Sequence, residues 1–248
     1  MKIRTITIDF WGTLLFDGPQ SDNRYKRRRM ADFERILASE GVPANGTALD
    51  RAYDESGSTL SRVWSANRDL PAEHYVKAVL DALDPDIYDQ LSGHAREALL
   101  DAYSRPALQV PPAVDPGARV ALEALCARGY TLAVVSNTMR TPGATLRKLL
   151  ERFRLLGCFE HTTFSDEVGI RKPDPEIFRM TLRAVGGDVA EAVHVGDDFD
   201  LDVQGGRQAG LRVIQVTNAS LRALGVQAPD AVIRTMAALP DAITSLDG

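Results

Sequence analysis

From Gly117 onward, short apolar runs alternate with amphipathic ones, and no other feature constrains the fold as tightly. Residues 130–136, 161–165, 192–196, 212–216 and 231–233 have the β-branched, apolar character of buried strands. Between them, residues 141–153, 175–185 and 201–209 show helical spacing, with Pro175 opening the second helix and Gly210 closing the third. Strands that alternate with helices imply a parallel sheet covered on both faces. Residues 3–8, Ile-Arg-Thr-Ile-Thr-Ile, share that character and are expected to join the sheet. The expected class is α/β, a Rossmann-like three-layer core around a parallel sheet.

Between residues 16 and 112 the pattern changes. Residues 24–40, 47–66, 72–83 and 87–104 have helical spacing, broken at Gly41-Val42-Pro43, Leu70-Pro71 and Asp84-Pro85. Pro106 and Pro111-Pro112 mark the return to the α/β part. The chain therefore divides into a core of residues 1–15 and 113–248 and an all-helical cap of residues 16–112, inserted after the first strand. An insertion entered so soon would hang over the carboxyl end of the sheet, where ligands bind in open α/β folds. It would act as a lid.

Composition narrows the function classes only a little. With 44% apolar and 25% charged residues, the 248-residue chain has an ordinary globular make-up. A net charge of −5 argues against general affinity for nucleic acid, and the local run Lys26-Arg27-Arg28-Arg29 reads as a solvated helix face. Cys126 and Cys158 have no metal-like or redox-like spacing and read as buried reduced thiols. No signal segment and no run long enough to span a bilayer stand in the sequence. The expectation is a cytoplasmic protein with a small-molecule substrate, no nucleic-acid or membrane partner, and a monomeric or homodimeric state.

Polar residues end the apolar strands. Asp9 follows the first, with Phe10-Trp11-Gly12-Thr13-Leu14 behind it; Ser136-Asn137 end another, and Asp197-Asp198 a third. Lys172 lies in Gly169-Ile170-Arg171-Lys172-Pro173-Asp174-Pro175. Carboxyl ends of parallel strands lie side by side, so these groups can share one crevice. Asp9 facing Asp197 needs a cation between them, and an oxygen-rich pair suits Mg²⁺. Gly12 gives the turn its backbone freedom and Thr13 a nearby hydroxyl and amide. Lys172 adds a positive charge, and Ser136 and Asn137 add donors. Together they would hold a tetrahedral dianion over Asp9, whose carboxylate could attack phosphorus. Taken singly, Ser136-Asn137 also reads as a turn, Lys172 as a surface charge and Asp197-Asp198 as a helix cap.

In chain order, Asp9-Phe10-Trp11-Gly12-Thr13-Leu14, Val134-Val135-Ser136-Asn137, Lys172-Pro173-Asp174-Pro175 and Val195-Gly196-Asp197-Asp198, with Asp202 and Ala209-Gly210, resemble the motifs of the haloacid dehalogenase superfamily. The resemblance implies that Asp9 is the nucleophile and that Ser136 and Lys172 hold the transferring group. It implies Mg²⁺ bound by Asp9, Asp197 and the backbone carbonyl of Trp11, with Asp198 and Asp202 around the metal. The helical insertion resembles the family's mobile cap, which closes over substrate.

One departure bears on the chemistry. Phosphatases of the family carry a second Asp two residues after the nucleophile, as general acid and base; Trp11 stands there, and an indole can do neither job. General acid–base help is worth about 10²–10⁴ in rate. The family's haloacid dehalogenases carry Tyr at this position, since halide leaves without a proton. They also carry Ser and Asn around the fourth motif, however, where this chain keeps Asp197 and Asp198. The favoured reading is a Mg²⁺-dependent phosphatase acting through an aspartyl-phosphate. The alternatives are a 2-haloacid dehalogenase-like hydrolase with an aspartyl-ester intermediate, and a phospho-ligand-binding protein with little turnover. Trp64, Arg68, His74 and Tyr75, or the basic residues from Arg24 to Arg29, are candidates to meet the rest of the substrate.

Overall fold

The computed structural model describes residues 2–217 and 228–247. β1 (Thr5–Ile8) leads through a tight loop to β2 (Leu15–Phe16). Helices follow: α1 (Ser21–Ser39), α2 (Gly46–Ser65), α3 (Ala72–Asp81), α4 (Ile87–Gln90), α5 (Gly93–Ser104) and α6 (Pro106–Gln109). The chain returns as β3 (Ala113–Val114), α7 (Ala118–Ala127), β4 (Thr131–Ser136), α8 (Gly143–Arg152), β5 (His161–Phe164), α9 (Ser165–Val168), α10 (Pro175–Ala184) and β6 (Ala192–Gly196). A π-helical stretch, Phe199–Gln204, runs into α11 (Gly205–Ala209), followed by β7 (Arg212–Val216), β8 (Ala231–Ile233) and α12 (Leu239–Asp247).

Six strands form one sheet in the order β5-β4-β1-β6-β7-β8, every neighbouring pair parallel. β1 lies between β4 and β6, with Ile8 level with Val134 on one side and Val195 on the other. That register brings the strand ends before Asp9, Asn137 and Asp197 together. Alternate residues of a strand face opposite sides. Ile6, Ile8, Val134 and Val195 pack with Leu122, Leu149 and Ile243 from α7, α8 and α12. Val135 and Ala192 pack on the other face with Ile177, Phe178 and Leu182 of α10. Thr7 and His194 are register partners, both fully buried. The polar residues of β1's alternation are therefore not solvent-facing.

The helical insertion follows the first strand and encloses its own apolar cluster, running from Met30 and Phe33 to Leu99 and Tyr103. Asn45 and Ser92 cap α2 and α5, their side chains accepting from Ala48 N and Ala95 N. That cap at Ser92 splits the single helix expected over residues 87–104: Ser92 is extended, with φ −61° and ψ 155°, where a helix would need ψ near −42°. The neck of the insertion is a two-residue antiparallel ribbon, Leu15–Phe16 against Ala113–Val114, too short to leave a periodic signal in the sequence.

Two further readings need correction. Arg29 is only 2% exposed, not part of a solvated face, because it shares the buried stripe of α1 with Tyr25 and Phe33. Its guanidinium donates to Tyr103 O, Tyr53 Oη and Arg140 O, each at 2.7 Å. Cys126 and Cys158 are free but half-buried, with Cys126 Sγ 3.3 Å from Cys158 O. Among the described residues, no helix is long and apolar enough to cross a membrane.

Candidate active site

Asp9 continues β1 by one residue, its N–H donating to Val195 O at 2.8 Å, so the sheet itself fixes the carboxylate at the strand end. It is 5% exposed and receives Lys172 Nζ at 2.6 Å. Burial pushes its carboxyl up to about 6, with Lys172 opposing that rise and Asp202 adding to it; a hydrogen bond from Ser136 also lowers it. Behind Asp9 the chain turns sharply, Leu14 N donating to Phe10 O and Gly12 N to Leu15 O. Gly12 has φ +75°, and a Cβ there would stand 2.2 Å from Asp197 Oδ2. Glycine is what lets the first loop approach the carboxylate that follows β6.

Lys172 is the hub. Its ammonium also reaches Asp202 Oδ1 at 2.5 Å, and it is 3% exposed. Burial opposes the lysine's charge, but Asp202 and Asp9 outweigh it and raise the pKa. The carboxamide of Asn137, expected to face a ligand, instead clasps the lysine's main chain: Oδ1 accepts from Lys172 N at 2.9 Å and Nδ2 donates to Lys172 O at 3.1 Å. Asp202 takes Asp198 N on its other oxygen and shares Oδ1 with His194 Nε2 at 2.9 Å. Burial pushes Asp202 up, yet Lys172 and His194 outweigh it and hold the carboxyl at about 2. Burial in turn holds His194 below its ordinary value, with Nε2 on Asp202 and Nδ1 2.9 Å from the Thr7 hydroxyl. A chain of buried polar groups thus runs from β1 through β6 to the lysine.

Asp9, Asp197 and Asp202 each offer an oxygen within 4.8 Å of the others. Burial, and then the charges of Asp9 and Asp202, push Asp197 up to about 7. Lys172 balances one of the three carboxylates, leaving two negative charges in a shared, largely buried space. That surplus matches one divalent cation, and an all-oxygen donor set suits Mg²⁺. The residues present fit such an ion. Asp198 stands apart: it is exposed, and its carboxylate caps the π-helical stretch by accepting from Asp200 N and Leu201 N. Thr13 is fully buried, and its hydroxyl has no partner among the described residues.

Trp11 stacks edge-on against Phe10 at 4.9 Å between centroids, and its buried Nε1 has no hydrogen-bond partner among the described residues. It lines a cavity of about 370 Å³ together with Gly12, Tyr25, Arg29, Met139 and Arg140. Of the four insertion residues expected near the crevice, Arg68 and His74 are exposed. Trp64 lines an adjoining cavity with Met139 and Arg140, and both it and the buried Tyr75 donate to the carboxylate of Asp69. Sequence reasoning missed Asp69, Arg171 and His194. For His194 a signal existed, since it shares a strand face with Thr7 and precedes Asp202 by eight residues.

A family model for haloacid dehalogenase-like hydrolases matches residues 3–210. Haloacid dehalogenase-like hydrolase domain-containing protein 3 of Homo sapiens is 34% identical over 240 residues, covering 94% of this chain and 87% of that protein. The phosphoserine phosphatase of Thermus thermophilus is 38% identical over 127 residues, covering 49% of this chain and 47% of that one. The chain thus spans about half the length of this phosphatase. Among solved structures, a 2-haloacid dehalogenase from Pseudomonas syringae pv. Tomato DC3000 superposes with a TM-score of 0.69 at 24% identity, covering 98% of this chain and 99% of that one.

Proposed function

The chain belongs to the haloacid dehalogenase-like hydrolases, and from that premise we propose that it is a Mg²⁺-dependent phosphohydrolase acting on a small phosphorylated metabolite. Asp9 is the nucleophile and forms the aspartyl-phosphate. Lys172 has three N–H donors, of which Asp9 and Asp202 take two, leaving one for a phosphoryl oxygen. The Ser136 hydroxyl holds a second oxygen, Asn137 fixes the lysine's main chain, and Gly12 and Thr13 bring the first loop's amides alongside. Mg²⁺ held by Asp9, Asp197 and the Trp11 carbonyl oxygen, with Asp202 beside it, would neutralise charge on nucleophile and phosphoryl group alike. Residues 1–15 and 113–248 form the catalytic core. Residues 16–112 form the cap, whose Tyr25 and Arg29 line the cavity beside Trp11.

The observation that carries this reading is the charge surplus around Asp9 and Asp197. A divalent cation held between them relieves it, and neutralising the nucleophile and the phosphoryl oxygens together is work that phosphoryl transfer asks of a metal and halide displacement does not. Trp11 is what favours the second reading, a dehalogenase, because it lacks the proton donor that an alkoxide leaving group needs and a halide does not. The test is a screen of phosphorylated metabolites and 2-haloacids, each with Mg²⁺ and with EDTA, measuring phosphate and halide. Phosphate release that stops in EDTA supports the phosphohydrolase. Halide release in EDTA supports the dehalogenase, and a single-turnover burst of the leaving alcohol with the phosphoryl group retained on the protein supports a phospho-ligand-binding protein.

A further inference from the structure

Outside the cluster around Asp9, a second buried carboxylate collects donors from both parts of the molecule. Asp69 lies in the insertion, just past α2, with its side chain fully enclosed. Its Oδ1 serves the insertion, accepting from Trp64 Nε1 at 3.0 Å, Leu70 N at 2.9 Å and the Tyr75 hydroxyl. Its Oδ2 serves the core, accepting from Ser165 Oγ at 2.5 Å and Arg171 Nη1 at 2.6 Å. Arg171 also lies over the Trp64 ring at 4.5 Å.

These core partners are the neighbours of the candidate phosphoryl-binding groups. Arg171 directly precedes Lys172, and its N–H donates to Asn67 O at 3.0 Å, while Asp69 N donates to Gly169 O at 3.2 Å. Arg68 and Ile170 form an antiparallel bridge between those two bonds. The insertion thus pairs, as a short ribbon, with the segment that delivers the lysine. Ser165 in turn accepts from Thr138 N at 3.0 Å, one residue past Asn137. A single carboxylate of the insertion therefore holds both the loop of Ser136 and Asn137 and the loop of Lys172.

We propose that Asp69 is a positioning residue that couples docking of the helical insertion to the alignment of Lys172 and of the Ser136-Asn137 loop. With the insertion docked, both loops are held and the lysine stands against Asp9. With it displaced, Arg171 and Ser165 lose their shared acceptor, and the grip on the transferring group loosens. The kinetic consequence rests on the phosphohydrolase reading; the structural one does not.

Asp69→Asn separates the two halves of the contact. It retains an Oδ1 for the three insertion donors and replaces Oδ2 with an amino group that meets Arg171 donor to donor and turns the Ser165 hydroxyl from donor to acceptor. Arg171→Met breaks the same link from the core side and serves where Asp69→Asn does not fold. With Mg²⁺ and p-nitrophenyl phosphate, each variant should lose kcat by up to about 100-fold, the scale of an ångström-sized misplacement, with KM changed less than about threefold. The double variant should be no slower than the worse single one. Crystal structures of the two single variants should show Lys172 Nζ withdrawn from its 2.6 Å contact with Asp9. Parental kcat in a folded variant, or Lys172 and Thr138 unmoved in its structure, overturns the proposal. If the parent releases phosphate from no ester, the functional reading falls and the variant structures still decide the coupling.

Discussion

Asp69 and Asp197 are both carboxylates withdrawn from water, and they are provisioned in opposite ways. Five donors converge on Asp69, including a guanidinium. Asp197 is pushed up to about 7 by burial and then by the like charges of Asp9 and Asp202, which Lys172 only partly offsets. A buried carboxylate with its lone pairs filled holds two parts of a fold together. One crowded by its like is costly to ionise until a cation arrives, and such deliberate imbalance marks sites of chemistry.

The largest effect should come from Asp9, which sits between these conditions with one lysine to share. Asp9→Asn should lower turnover by about 10⁴-fold or more in steady-state assays, on the scale seen when a nucleophile is removed. The fold should survive, because the asparagine still fits the strand end. Activity like that of the parent would remove the nucleophile from Asp9 altogether.

Stability should respond with opposite signs within the cluster. Asp202→Ala leaves Lys172 and His194 without their shared acceptor and should cost about 3–5 kcal/mol in urea unfolding, as losing one partner of a buried ion pair does. Asp197→Asn removes a repelled charge and should stabilise the metal-free protein at pH 7.5 while weakening its response to Mg²⁺. If Asp197→Asn destabilises instead, the cluster is not short of a cation and the contrast with Asp69 fails.

The pH dependence sharpens the same point. Asp9 at about 6 and Asp197 at about 7 lie above the ordinary 3.8, so over that interval the folded, metal-free protein binds more protons than the unfolded chain. Stability therefore falls as pH rises from about 4 to about 7, then levels off with respect to these groups. The melting temperature in EDTA should trace that decline, and Mg²⁺ should raise it more at pH 7.5 than at pH 5. A Mg²⁺ increment independent of pH would place the ion away from these carboxylates.

The carboxylate cluster was legible because Asp9 and Asp197 directly follow apolar strands, and the parallel sheet converts ends scattered along the sequence into neighbours. Asp69 left no such mark. In Arg68-Asp69-Leu70-Pro71 it reads as an ordinary loop between helices, and its partner Arg171 lies 102 residues away. Arg29 was hidden by its neighbours: in a run of four basic residues, only the helix stripe through Tyr25 and Phe33 shows which one turns inward. Asn137 was placed at the right spot with the wrong task, since a sequence motif gives a residue's neighbourhood but not the direction of its amide.

The smallest expected effect concerns Trp11, whose ring closes the cavity wall where an acid would otherwise reach the leaving group. Asp198 and Asp200 are poor substitutes, because both are exposed and the first is engaged in capping. Aryl and acyl phosphates expel weakly basic groups and need little protonation, whereas alkyl phosphates expel a strong base. Chemical-step rates should therefore fall steeply as leaving-group pKa rises, and the aspartyl-phosphate should accumulate in rapid-quench experiments for want of a base to activate water. Trp11→Asp restores a carboxyl two residues after Asp9, but sets it beside a space already short of positive charge. It should flatten the leaving-group dependence only with Mg²⁺ present, and in EDTA should destabilise the protein further as pH rises. Similar rates for alkyl and aryl esters in the parent would mean that the proton comes from another residue or from the substrate itself.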